Sequence, residues 1–93
     1  MSDVFEKTCE LLEKHTSFTR LQSRGTIRLI LKEARLVPET VEKGEMLELL
    51  KTKLASELEK RGVSEGAGVA EQLVAAVERT RFADTAYDVF KKI

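Results

Sequence analysis

The sequence predicts an all-α fold: a compact, bundle-like single domain of four to five helices over residues 1–93, with no sheet. Three observations carry this expectation. Apolar residues recur at three- and four-residue spacing in segment after segment. No segment alternates apolar and polar residues with period two, as a half-buried strand would. One proline and five glycines leave few breakers, which favours long helices. No internal repeat of fixed period is evident.

The first helix is expected to start at Ser2 or Asp3, and Asp3 with Glu6 has capping-box spacing. Val4, Phe5, Thr8, Cys9, Leu11, Leu12 and His15 make its apolar face; Glu6, Lys7, Glu10, Glu13 and Lys14 fill the other. Thr16 or Ser17 can cap a second helix from about Phe18 to Arg35. Phe18, Leu21, Gly25 and Leu29 share one face of it, and Ile27, Ile30, Leu31 and Ala34 lie nearly opposite. A helix apolar on two sides is packed between neighbours, which puts this one at the centre of the domain. Gly25 marks either a close helix contact or a break, with Thr26 capping a fresh start.

Leu36 to Thr40 is a connection, with Pro38 suited to the first turn of a helix. A third helix is expected from about Glu45 to Arg61, with Met46, Leu47, Leu50, Leu54 and Leu58 as its stripe. Lys60, Arg61 and Gly62 suit its end: cations near the negative pole of the dipole, then a residue free to turn left-handed. Ser64 to Gly68 reads as the most flexible stretch. A fourth helix follows from Val69 to Thr80. Asp84 can cap a fifth, with Ala86, Val89, Phe90 and Ile93 on one face and Tyr87 at the edge of the core.

Composition excludes several classes. Hydrophobic content of 42% and charged content of 34% suit a globular domain rather than a disordered chain. Sixteen basic and sixteen acidic residues give a net charge of zero, so no global field draws the chain to nucleic acid or anionic lipid. A lone cysteine, Cys9, rules out an intrachain disulfide. The opening residues lack the apolar core of a signal peptide, and the apolar runs are too short to span a bilayer. A cytoplasmic location is expected.

Chemistry is poorly represented. Cys9 sits on an apolar stripe, where a free thiol behaves as a small hydrophobe. His15 falls at a helix C-terminus, where capping is the plain role. The absence of a second histidine argues against a zinc centre. The pairs Glu10–Glu13 and Asp84–Asp88 are expected by chance among sixteen acids. Ser23-Arg24-Gly25-Thr26 is a fragment of an anion nest without the glycines and lysine of a phosphate loop. No nucleophile, base and orienter come together. The expectation is therefore a non-enzyme with no catalytic residue, cofactor, metal or small-molecule substrate.

The best-patterned polar feature is a basic stripe on the second helix: Arg20, Arg24, Arg28, Lys32 and Arg35. Guanidinium groups suit bidentate contact with phosphate or carboxylate. A complementary acidic series follows: Glu39, Glu42, Glu45 and Glu48. The two series can meet within one molecule or between two copies. The function expected is a non-enzymatic protein–protein interaction or assembly module, acting on a protein partner or by self-association. Nucleic-acid binding through the basic stripe is the alternative. It is less favoured because the chain is neutral and few aromatics are interleaved for stacking.

Overall fold

The computed structural model describes residues 2–82. The expected fifth helix, with Asp84, Ala86, Val89, Phe90 and Ile93, lies outside them, as do Tyr87 and the Asp84–Asp88 pair. Among the described residues the fold is all-α and no strand is present. The helices are α1 (Asp3–His15), α2 (Arg20–Glu33), α3 (Lys43–Leu49), α4 (Ala55–Lys60) and α5 (Gly66–Arg79). A π-helical segment, Leu50–Leu54, joins α3 to α4 in one continuous rod. No helix among the described residues is long and apolar enough to cross a membrane.

α1 starts at Ser2, whose hydroxyl accepts the Phe5 N–H at 3.1 Å. Val4, Phe5, Cys9, Leu11 and Leu12 are buried along it. It packs against α2, α3 and α5, while α5 packs against α1, α3, α4 and the π segment. The centre of the domain is therefore the α1–α5 pair, not α2. Among the described residues, helix α2 is buried on one side only. Ser23, Thr26, Ile27, Ile30 and Leu31 are buried, whereas Leu21 is 79% exposed and Gly25 is open to solvent. Gly25 marks no break, since the helix runs through it, and among the described residues a Cβ there would meet nothing within 4 Å.

The start of α2 also differs from expectation. Thr16 turns back onto α1, donating to the Leu12 carbonyl at 2.6 Å. Thr19 is the cap: its hydroxyl accepts the Gln22 N–H, and the Gln22 amide oxygen accepts the Thr19 N–H. That is a reciprocal capping box, two to three residues later than the Thr16 or Ser17 cap the sequence suggested. Another capping pair opens α3, where the Glu45 carboxylate accepts the Glu42 N–H at 2.9 Å.

The π segment has a legible cause. Met46, Leu50, Leu54 and Leu58 are all fully buried and spaced four apart. An α-helix turns in 3.6 residues, so a strict four-residue repeat drifts by about 40° per step. One wider turn takes up that drift and keeps the leucines on the core side. The rod ends at Gly62, with φ +90°, where the Val63 N–H reaches back to the Leu58 carbonyl.

Within the stretch expected to be most flexible, one residue is tightly packed. α5 begins at Gly66, which is buried against α4. A Cβ on Gly66 would lie 2.7 Å from the Ala55 carbonyl oxygen, closer than real Cβ atoms approach backbone. The far end of α5 is held by Lys43, whose ammonium donates to the carbonyls of Glu78 and Thr80 at 2.9 and 3.0 Å. A cation there suits the negative pole of the helix. Gly66→Ala is expected to destabilise the domain by about 1–3 kcal/mol, because two backbones must separate. Gly68→Ala, with open space at its Cβ position, is expected to stabilise by up to about 1 kcal/mol. Urea denaturation of the two variants checks the contrast.

Candidate functional site

The basic stripe divides by exposure. Arg24 faces inward and is half-buried. Its guanidinium grips the Glu6 carboxylate of α1 with nitrogen–oxygen distances of 2.8 and 3.4 Å. It also lies over the Phe5 ring, 5.2 Å from the centroid, and Arg28 lies 5.7 Å from the same centroid. Phe5 itself is fully buried, so the two cations roof the aromatic end of the core. Arg20, Arg28, Lys32 and Arg35 are exposed.

Glu39, Glu42, Glu45 and Glu48 are also exposed. The carboxylate on Arg24 is Glu6, which belongs to neither series. The ion pairs among the described residues are Arg24–Glu6 and Arg61–Glu57. Glu45 is engaged with the α3 cap, and Glu48 gives its carbonyl to the Thr52 hydroxyl at 2.8 Å. Sequence reasoning missed the Glu6–Arg24 pair because eighteen residues separate its members. Only the packing of α1 on α2 brings them together.

A second missed feature lies at the end of α2. Arg35 has φ +62°, a left-handed conformation costly for a side chain with a Cβ. The Arg35 N–H donates to the Lys32 carbonyl and the Leu36 N–H to the Leu31 carbonyl, at 3.0 and 2.9 Å. This is the Schellman arrangement whose turning position usually holds glycine. The same arrangement at the end of α4 does hold glycine, Gly62. At α2 an arginine takes that position, at a cost of roughly 1–2 kcal/mol.

Arg35 lines an open groove of about 490 Å³ together with Arg28, Lys32, Leu36, Val37, Pro38 and Glu39. Val37 is 50% exposed in this groove. The connection is anchored from below: the Pro38 carbonyl accepts the Ser2 N–H at 3.0 Å, and Val41 is buried.

The other polar candidates are structural. Cys9 is buried, and burial pushes its thiol up to about 12, which leaves no thiolate at neutral pH. Thr8 and Thr26 donate to the carbonyls one turn behind them. Ser23 is buried with an unpaired hydroxyl on the inner side of α2. Among the described residues no three His, Cys, Asp or Glu side chains cluster as metal ligands. Set against protein-family models, curated proteins and solved structures, the chain matches none.

The hydrogen bond from Arg24 holds the Glu6 carboxyl below its usual range, and the same bond raises Arg24. A carboxylate lowered on folding stabilises the fold above its unfolded pKa. That contribution is lost as pH falls through the lowered folded value. Stability measured by urea denaturation is therefore expected to fall on acidification below about pH 5. Glu6→Gln is expected to be less stable at neutral pH and to show a shallower acid slope. Equal slopes in the two proteins would place the acid sensitivity elsewhere.

Proposed function

We propose that this chain is a non-enzymatic protein-interaction module whose binding surface is the outer face of α2. Leu21, Gly25, Arg28 and Lys32 fall at i, i+4, i+7 and i+11, on one face of the helix. The observation that carries the reading is the exposure of this face: a 79% exposed leucine beside an exposed mid-helix glycine whose Cβ position meets nothing within 4 Å among the described residues. Glycine there costs about 1 kcal/mol relative to alanine. Close approach by another chain gives it a use. Cations beside an apolar anchor suit an acidic protein surface, with the charges steering encounter and setting register.

The test is a photo-crosslinking residue in place of Leu21 in the cells that express the protein natively. The same residue in place of Gln72, exposed on α5, serves as control. Nuclease-resistant protein adducts are expected from position 21 and not from position 72. They should weaken at least about tenfold when Lys32 is reversed to Glu, in line with the coupling energies of close charge pairs at interfaces. Nuclease-sensitive adducts would favour nucleic acid instead, and an absence of adducts would contradict an interaction surface.

A further inference from the structure

The groove at the end of α2 carries an excess of positive charge. Arg28, Lys32 and Arg35 line it against a single carboxylate, Glu39. Among the described residues Lys32 and Arg35 enter no ion pair. Leu36, Val37 and Pro38 supply the apolar part of the lining, with Val37 half exposed. This apolar strip is set before any ligand arrives. The Ser2 N–H holds the Pro38 carbonyl, and Val41, three residues on, is buried.

The turn at Arg35 adds an independent observation. Glycine is the residue that the left-handed position accepts without strain, and Gly62 takes it at the end of α4. At the end of α2 the chain carries a strained arginine instead, and that arginine lines the groove. A guanidinium there matters more than a relaxed backbone.

We propose that this groove seats an acidic linear peptide of a partner protein, one that carries an apolar side chain next to its carboxylates. Arg35 takes one carboxylate through paired N–H bonds, and Lys32 meets a second as a point charge. The apolar side chain lies on Val37. Glu39 turns further acid away from the far end, which gives the groove a direction. A nucleic-acid strand fits less well. Its phosphates continue past the cations to meet Glu39, and the lining holds no aromatic ring for a base to stack on. The proposal rests on the interaction reading above, in which Arg28 and Lys32 steer an acidic partner, and it names the chemistry of that partner.

The test is selection of a display library of random short peptides on the full chain. Asp or Glu beside Leu, Ile, Val or Phe is expected to be enriched. An enriched peptide, labelled with fluorescein, is then titrated by anisotropy. Arg35→Gly is expected to weaken binding at least about tenfold, as loss of a charge-assisted pair does. Its urea midpoint should hold or rise, because the turn is relieved. Val37→Asp, at an exposed position, should weaken binding by a similar factor through repulsion of the acids. Glu39→Gln should extend binding to peptides that are acidic at both ends.

No enrichment, or enrichment of sequences without acids, would overturn the proposal. So would a peptide that binds Arg35→Gly as tightly as wild type, or single-stranded RNA or duplex DNA that displaces the peptide at lower concentration than unlabelled peptide does. Protein adducts that persist from position 21 when no peptide is selected would remove the groove and leave the interaction reading standing. Loss of both would remove both.

Discussion

Phe5 closes one end of the core, and two guanidinium groups close over Phe5. Arg24 then reaches Glu6 on the next residue of α1 and ties the two helices together. A surface ion pair alone adds little stability. Its effect here is directional, because it fixes which side of α2 faces α1. Ile27, Ile30 and Leu31 follow that orientation into the core, and Leu21, Gly25 and Lys32 are turned outward. α1 is in turn held by α5, which Lys43 and the Gly66 contact bind at its two ends. The outer face of α2 is thus presented by a chain of contacts that begins at the Arg24–Glu6 clasp.

The helices were legible because their periodicity comes from burial, and burial is local in sequence. The stripe Met46, Leu50, Leu54, Leu58 marked its helix correctly, and its strict four-residue spacing carried the sign of the π turn as well. Features set by the approach of distant segments were not legible. Gly66 reads as a loop glycine until the Ala55 carbonyl is seen beside it. Leu21 reads as core until the other side of α2 is seen to take that role. The basic series was visible as a pattern, but which of its members would be drawn inward depended on where α1 lies. Arg35 was counted as one more helical cation, although it occupies the left-handed turn that ends the helix.

The two Schellman turns let one backbone geometry be compared with two residues in it. Gly62 fits its turn without strain. Arg35 is strained and lines a groove with Lys32 and Glu39. Strain of this kind persists where surrounding structure over-determines it, and it concentrates at sites that act. Exposed Val37, next to a turn pinned by Ser2, places the unused apolar surface of the connection at the same spot. In the interaction reading, the outer face of α2 contributes both the apolar anchor, Leu21, and the steering charges Arg28 and Lys32.

Amide hydrogen exchange on the dilute monomer tests most directly whether the anchoring of α2 on α1 is intrinsic to the single chain. The expected result is protection of Ile27, Ile30 and Leu31 approaching that of Leu73 and Val77 in α5, reduced in Glu6→Gln. Near-unprotected exchange across α2 in the monomer, with full protection in α5, would contradict the account, because the outer face would then form only when a partner folds it.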